Sequence, residues 1–207
     1  MSIVSLLNAL PGAVAQGLIW GIMAIGVYIT FRILDIADLT VDGTLCTGGA
    51  VCIMMMQSGH NVWVSLLVAL IAGLLAGFAT GLFHTFMGIP AILAGILTQL
   101  GLYSVNLKIM GKSNQAINVD KFDLLVSLRY IKNVPIYRNT ILLVAVIIVV
   151  LIAFLYWFFG TELGCSLRAT GCNDRMSRAQ GINTDFNRVL GLMISNGLVA
   201  FSGALLS

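Results

Sequence analysis

The stretch NTILLVAVIIVVLIAFLYWFF, residues 139–159, contains no charged residue and no glycine. A bilayer core about 30 Å thick is crossed by about 20 apolar residues in an α-helix. This stretch is long enough and apolar enough to cross, and a backbone inside lipid must satisfy its own hydrogen bonds, as a helix does. It therefore predicts a membrane-spanning helix, and with it a helical membrane fold.

The composition of the rest of the chain agrees with that prediction. The 207 residues are 59% hydrophobic and only 9% charged, and their mean hydropathy is +1.00. Soluble domains carry about 45–50% apolar and about 25% charged residues. A chain this apolar has too few polar groups to cover a globular surface, which excludes a soluble enzyme and a disordered or fibrous chain. The net charge of +3 is too small to indicate a nucleic-acid partner.

Further apolar segments precede and follow the first one. The first basic residue is Arg32, after a complete apolar segment, so the N-terminus lacks the basic region of a cleaved signal peptide. We therefore predict that residues 1–207 form one all-α domain, a polytopic transmembrane helical bundle. Its predicted spans are 12–31, 43–57, 62–83, 89–107, 139–159 and 189–206.

The segment RILDIADLTVD, residues 32–42, carries the carboxylates Asp35, Asp38 and Asp42. Carboxylates spaced three and four apart would share one face of a helix, and they are costly where they face lipid. The short apolar segment that follows begins at Gly43. One interpretation is a broken helix that lines a pathway. The other is a polar turn at the membrane surface, and the residues alone leave both open.

Glycines at helical spacing predict close packing between spans. Gly73, Gly77 and Gly81 repeat every four residues in one span, and Gly17 and Gly21 do so in another. Small residues at this spacing let helix backbones approach each other in lipid. They indicate a tight helix–helix seam, which could be a contact between subunits. The alternative is the ordinary abundance of glycine in membrane helices.

Two long polar stretches, 108–138 and 160–188, flank a single span and are therefore expected on opposite sides of the membrane. The first holds six Lys and Arg residues and the second holds four. Cytoplasmic loops are usually the more basic ones, which favours a cytoplasmic location for 108–138. Arg32 is expected on the side of the second stretch and favours the opposite orientation. Charge alone therefore leaves the sidedness open.

The second polar stretch reads GTELGCSLRATGCNDRMSRAQGINTDFNR, and we call residues 160–188 the connector. A short helix is predicted over 168–180, with Arg168, Arg175 and Arg178 on its exposed side. Gly181 suits a helix C-cap in the left-handed conformation. A short helix between two spans could dock a partner protein. A plain solvated loop is the alternative.

The connector resembles the permease subunits of ABC importers in the branched-chain amino acid and ribose permease family. That family shows a run R-A-x-G-x-N-x-x-x-A-x-x-x-G-I-N, preceded by a glycine. The chain matches it at Gly164, Arg168, Ala169, Gly171, Asn173, Gly181, Ile182 and Asn183, and has Ser177 where the family often has alanine.

A second match lies near the N-terminus. The run DLTVDG, residues 38–43, is similar to the family's D-L-[ST]-V-x-G, and the preceding Thr30-Phe31-Arg32 is closest to one subgroup. Permeases of that subgroup are paired with lipoprotein-type binding proteins, some of them linked to tryptophan or tyrosine uptake.

The resemblance implies a type-II-like ABC importer permease fold, present as a symmetric homodimer in a bacterial cell membrane. It implies two further partners, an ABC ATPase and an extracytoplasmic substrate-binding lipoprotein. ATP and Mg would be bound by the ATPase, so the permease itself is expected to be non-catalytic and to hold no cofactor or metal. The family places the connector in the cytoplasm, so the N-terminus and 108–138 are expected outside. Because family members continue with further spans, the chain is expected to be the N-terminal part of a permease.

The resemblance also implies three functional groups of residues. The ATPase-coupling loop is expected at Gly164, Arg168, Ala169, Gly171, Asn173, Arg175, Ser177, Gly181, Ile182 and Asn183. The translocation path is expected at Asp38, Thr40, Asp42, Gly43, Thr44, Thr47 and Gly48. Docking of the binding protein is expected at Lys121, Arg129, Lys132 and Arg138.

Other classes of membrane protein would carry similar spans. A secondary transporter or channel would explain the spans and the intramembrane carboxylates equally well, but not the motif of the connector. An integral membrane enzyme is the weaker alternative, because the sequence offers no nucleophile–base pair.

Overall fold

The computed structural model describes residues 3–111 and 140–207. The described residues form helices joined by short connections, with no β-strand among them, which confirms the predicted all-α class. In chain order the elements are α1 Ile3–Tyr28, a π-helical turn Ile29–Ile33, α2 Val41–Gln57, α3 Val62–Thr85, α4 Ala91–Met110, α5 Thr140–Gly160, α6 Glu162–Cys172, α7 Asp174–Ala179 and α8 Thr184–Leu206.

Five helical segments in the described part of the chain are long and apolar enough to cross a membrane: 12–33, 62–85, 91–110, 141–160 and 184–206. They coincide with five of the predicted spans. The remaining predicted span, 43–57, lies within α2, which has 17 residues. At about 1.5 Å per residue it is roughly 25 Å long, shorter than a hydrocarbon core of about 30 Å. Its crossing stays a prediction.

Helix α8 is the centre of the bundle, and α1, α2 and α3 pack around it. In its most apolar stretch 61% of the residues are buried, against 11% in α5. Small residues allow this packing, because Gly197 and Gly203 let α3 and α2 approach its backbone, and Gly191 makes room for the Leu34 side chain. α5 is the most hydrophobic candidate span and the least buried one, so most of its surface is left for lipid.

The predicted glycine seam of the third span is present and lies against α8 of the same chain. A Cβ at Gly77 would overlap the carbonyl oxygen of Leu192, and one at Gly81 would lie 3.0 Å from the Cα of Val189. The suggestion of a subunit contact is therefore wrong for this seam. A Cβ at Gly17 or Gly21 would meet no described atom within 4 Å, so these two glycines form no seam within the described chain.

The helix break predicted after the first span is confirmed. The π-helical turn ends α1, and the Leu34 N–H donates to the Ile29 carbonyl at 3.1 Å. Asp35 has φ +56°, and residues 35–40 have no helical structure before α2 begins at Val41. We call residues 34–40 the break segment. Asp35 and Asp38 lie in it, so the predicted carboxylates do not share one helix face.

The break segment reaches the middle of the bundle. Its start lies at the connector end, where Gly171 of the connector packs on the Ile33 carbonyl. Further along, Asp38 bonds to Asn196, which lies about 18 Å along α8 from Thr184 at about 1.5 Å per residue. Because α8 has 23 residues, Asn196 is near its midpoint. This depth favours the interpretation as a broken helix over a polar turn at the membrane surface.

Candidate functional site

A cluster of polar side chains lies where the break segment meets α3 and α8. It consists of Asp38, Thr40, Thr44, Thr80 and Asn196, and we call it the break cluster. One carboxylate oxygen of Asp38 accepts from the backbone N–H of Thr40 at 2.8 Å. The other accepts from Asn196 Nδ2 at 2.7 Å. The half-buried carboxylate thus has a donor on each oxygen, which offsets the cost of placing it inside the bundle.

Asn196 joins three elements through its fully buried amide group. Besides Asp38, its Nδ2 donates to the Leu192 carbonyl at 3.1 Å. Its Oδ1 accepts from Thr44 Oγ1 of α2 at 3.0 Å. The amide therefore fixes α8 to the break segment and to the first turns of α2.

Thr40 and Thr80 connect the cluster to α3, with 3.0 Å between their hydroxyl oxygens. The Thr80 hydroxyl also lies 3.2 Å from the Ala76 carbonyl, to which it donates. Because a hydroxyl has one proton, Thr40 is then the donor in the pair. The last residue before α2 is in this way held against α3.

The connector forms two helices rather than the single helix predicted over 168–180, so that prediction is wrong. Helix α6 ends at Cys172 because Asn173 adopts an extended backbone, with φ −156° and ψ 99°. The Asn173 Oδ1 then accepts from the Met176 N–H at 3.1 Å as the N-cap of α7. An asparagine in this role stabilises a new helix start. The side chain of Asn183 caps α8 in the same way, accepting from the Phe186 N–H at 3.1 Å.

Gly181 ends α7 in the left-handed conformation, as predicted, with φ +84°. Its N–H donates to the Arg178 carbonyl at 3.0 Å, and the Ile182 N–H donates to the Ser177 carbonyl at 3.1 Å. This pair of bonds is the Schellman arrangement, which favours glycine at the left-handed position. The turn directs the chain from α7 into α8.

Side-chain bonds hold the connector on the first turns of α8. Arg178 donates to Thr184 Oγ1 at 2.7 Å and to Asp185 Oδ1 at 2.8 Å. The buried Asn187 donates from Nδ2 to Thr170 Oγ1 at 2.9 Å. A further ion pair at 3.2 Å joins Arg188 Nη2 to Asp174 Oδ2. α6 and α7 are thus both bonded to the start of α8.

Two exposed side chains of α7 are left for a partner, Arg175 and Met176. Arg175 makes no hydrogen bond or ion pair with the part of the chain that the structure describes. Arg168 is also exposed, but its guanidinium donates to the Phe159 carbonyl at 2.8 Å. Ser177 is buried and donates to the Asn173 carbonyl at 2.9 Å. The free cationic group of the connector therefore lies on α7, beside the exposed Met176, while Leu163 of α6 and Phe186 of α8 are further exposed apolar side chains.

A family model described as "Branched-chain amino acid transport system / permease component" matches residues 10–207. The chain belongs to this family. It is 37% identical over 201 residues to the tyrosine transport system permease protein of Clostridioides difficile (strain R20291), covering 97% of this chain and 65% of that protein. It is 38% identical over 201 residues to the uncharacterized protein RP368 of Rickettsia prowazekii (strain Madrid E), covering 96% and 68%.

Other relatives are matched over a smaller share of their length. The chain is 31% identical over 169 residues to the fructose import permease protein FruF of Bifidobacterium longum (strain NCC 2705), covering 80% of this chain and 46% of that protein. The chain thus spans about two thirds of the length of the first two relatives and about half of the third. No solved structure matches the chain.

The structure of this permease component distributes the predicted path residues unevenly. Thr40, Gly43, Thr44, Thr47 and Gly48 are buried, Asp38 is half-buried and Asp42 is exposed. A Cβ at Gly48 would overlap the Ala200 carbonyl, and one at Gly43 would lie 3.2 Å from the Cα of Gln99. In this conformation the two glycines allow close helix packing. Their place in a translocation path stays a prediction.

Sequence reasoning missed Asn196 and Thr80, which complete the break cluster. Both lie inside apolar spans and carry no charge, so a search for charged residues passes over them. The usable indication was an asparagine within a span, because polar side chains at membrane depth are rare and need a partner. Its partner, 158 residues earlier in the chain, could not be read from spacing.

Two further groups of predictions, the absence of a metal and the docking residues, stay predictions. Among the described residues no cluster of His, Cys, Asp and Glu could hold a metal ion. The residues predicted to dock a binding protein lie outside the described residues: Lys121, Arg129, Lys132 and Arg138.

Proposed function

We propose that this permease component is a transmembrane subunit of an ATP-driven importer and is itself non-catalytic. A separate ATPase would bind ATP and Mg and hydrolyse ATP, and an extracytoplasmic lipoprotein would deliver the solute. A second copy of the chain would complete the pathway. Family membership and relatives named as tyrosine transport and fructose import permeases support this assignment.

The observation that carries the proposal is the architecture of the connector. It is a pair of capped helices bonded to the central helix, with the exposed Arg175 and Met176 left unpaired on α7. A plain solvated loop would need neither the caps nor the bonds to α8. A rigid projection on a central helix is suited to receive a displacement from a partner and to pass it on.

In the proposed mechanism, ATP closes the ATPase subunits and the connector moves with them. α8 carries this movement into the bundle, and the spans rock between outward-open and inward-open states. In this assignment the connector is cytoplasmic, and the N-terminus and Lys121, Arg129, Lys132 and Arg138 face the binding protein outside. An amino acid, specifically an aromatic one, is the proposed solute, because a relative is named as a tyrosine transport permease.

The test uses the complete permease reconstituted in liposomes with its cognate ATPase and binding protein. The variant Arg175→Glu with Met176→Asp changes two exposed side chains and should leave folding intact. We expect it to lower the ATP hydrolysis stimulated by loaded binding protein by about tenfold or more, the effect of losing roughly 1.4 kcal/mol or more of coupling. Glu162→Gln, which removes an exposed charge from the first turn of α6, should leave stimulation unchanged.

Unchanged stimulation in the α7 variant would contradict the coupling role of the connector. Uptake by the wild type without any ATPase, driven by an ion gradient, would contradict the importer assignment and favour a secondary transporter.

A further inference from the structure

One continuous helix joins the connector to the break cluster. α8 begins at Thr184, directly after its Asn183 cap, and continues through Asn196 to Leu206. Its buried face is rich in glycine and small residues, packed between α1, α2 and α3. Close-packed protein interiors have low compressibility and transmit strain. A displacement applied at Thr184 therefore reaches Asn196.

The bonds made by the two parts of α8, at the connector and at the break cluster, differ in kind. At the connector end, Arg178, Asn187 and Arg188 make several bonds that fix α6 and α7 to α8. At the inner end, Leu34 and Ile36 of the break segment pack with Leu192 in an apolar cluster, and the polar link is the single bond from Asn196 to the Asp38 carboxylate, at 2.7 Å. A hydrogen bond to an ionised group is shorter and stronger than a neutral one. Its geometry therefore decides where Asp38 and the following residues lie relative to α8.

The part of the break segment around Asp38 depends on that link. Leu34 and Ile36 are buried in an apolar cluster with Leu192, but Ala37, Asp38 and Leu39 of the break segment are not buried. Within it, the Ile36 N–H donates to the Thr30 carbonyl at 3.0 Å and the Thr40 N–H to Asp38 at 2.8 Å. Residues held by few local bonds change position at low cost. Asp38 is also only half-buried, so water can replace Asn196 as its donor when the two separate.

We propose that Asn196 is a positioning residue that transmits the movement of α8 to the break segment through Asp38. In one state Asn196 holds the carboxylate against α8. In the other, α8 has moved and Asp38 is released to solvent, which shifts the start of α2. This inference rests on the proposed function, because the connector supplies the movement.

The residue pair itself provides a sharp test, since the two side chains can be exchanged. In Asp38→Asn with Asn196→Asp, the new amide at 38 can donate to the new carboxylate at 196. The Thr40 N–H and the Thr44 hydroxyl keep their acceptors. The bond to the Leu192 carbonyl is lost, and the charge moves to the fully buried position 196, where it is costlier. In Asn196→Asp alone, two carboxylates meet at the same position and repel each other.

The measurement is made on the complete transporter in liposomes, as the ratio of solute imported to ATP hydrolysed. We expect Asn196→Asp to lower this ratio about tenfold or more, because a charge-assisted bond is lost, while basal ATP hydrolysis per assembled transporter stays at the wild-type level. Fewer transporters should assemble, because two carboxylates meet at a fully buried position. The exchanged pair should raise the ratio about threefold or more above that of Asn196→Asp, because the charge-assisted bond forms again although its carboxylate is now fully buried. Ser195→Ala is the matched control, because the Ser195 hydroxyl bonds to the Gly26 carbonyl of α1 and not to the break segment.

Three outcomes would overturn the inference while leaving the proposed function standing. In the first, Asn196→Asp imports solute at the wild-type ratio to ATP hydrolysed. In the second, the exchanged pair assembles but its ratio stays as low as that of Asn196→Asp. In the third, Ser195→Ala lowers the ratio as strongly as Asn196→Asp does. A fall in basal hydrolysis per assembled transporter, recovered in step by the exchange, would indicate a purely structural role and would also overturn it. Absence of ATP-driven import in the wild type would instead contradict the proposed function, and the inference with it.

Discussion

Asp35 is the residue at which the chain leaves the first span, and its backbone has φ +56°. Left-handed backbone is costly for residues with a Cβ, although aspartate tolerates it better than most. The break therefore depends on a local conformation that a β-branched side chain opposes. The carboxylate, exposed at this position, is of secondary importance for folding.

We expect Asp35→Val to destabilise the fold by about 1–2 kcal/mol, the usual cost of left-handed backbone for a residue with a Cβ. Asp35→Gly should stay within about 0.5 kcal/mol of wild type, because glycine adopts this φ freely but gains freedom in the unfolded chain. Both variants remove the carboxylate, so their difference reports the backbone alone. Thermal unfolding in detergent gives the comparison, and equal midpoints would show that the positive φ is not required.

Single residues were predicted from sequence where their role is local, and missed where it is not. The left-handed Gly181 followed from a glycine after a short polar helix. Asn196 was missed because its role depends on Asp38, which is distant in sequence. A periodicity argument shows which residues share a helix face but not which helices meet.

At the scale of elements, the sequence indicated the break after α1 but not the break within the connector. Three carboxylates and Gly43 indicated the break after α1. In the connector, Gly171 is a residue type that weakens helices, yet it lies inside α6 and packs on the Ile33 carbonyl. The helix ends one residue later, at Cys172, and the Asn173 side chain then caps α7. Asparagine tolerates a helix interior about as poorly as several neighbours do, so only the observed cap identifies the position.

The contact between α2 and α8 gives the prediction at this scale. A Cβ at Gly48 would overlap the Ala200 carbonyl, while one at Gly101 of α4 would meet nothing within 4 Å. We expect Gly48→Ala to cost about 1–3 kcal/mol through overpacking, which lowers the unfolding midpoint by roughly 2–10 °C. Gly101→Ala should be neutral or raise it, because alanine favours a helix by up to about 1 kcal/mol.

Unfolding of both variants is followed by size-exclusion chromatography after heating in detergent. If Gly48→Ala has the same unfolding midpoint as the wild type, the close contact of α2 with α8 is not present in the folded protein. A midpoint lowered equally in Gly101→Ala would mean that alanine destabilises these helices for a reason other than contact.

For the whole molecule, the bundle places the start of the break segment and the connector at the same end. Gly171 packs on the Ile33 carbonyl, and a Cβ at Gly191 would lie 2.5 Å from the Leu34 side chain. This agrees with the expectation that Arg32 lies on the side of the connector. The basic residues in 108–138 outnumber those in the connector, so a charge count favours the opposite sidedness. If the proposed orientation holds, the basic residues of 108–138 serve an external partner rather than topology.

Native cysteines test that orientation directly. Cys165 and Cys172 are exposed on the connector, whereas Ser177 is buried and would make a poor labelling position. In a background with Cys46→Ser and Cys52→Ser, a membrane-impermeant maleimide should leave Cys165 and Cys172 unlabelled in intact spheroplasts and label them after permeabilisation. A cysteine at Lys121, placed in a chain whose four native cysteines are all serine, should be labelled in intact spheroplasts. The opposite pattern would reverse the topology, because an odd number of spans separates the two positions, and the connector could then not meet an ATPase in the cytoplasm.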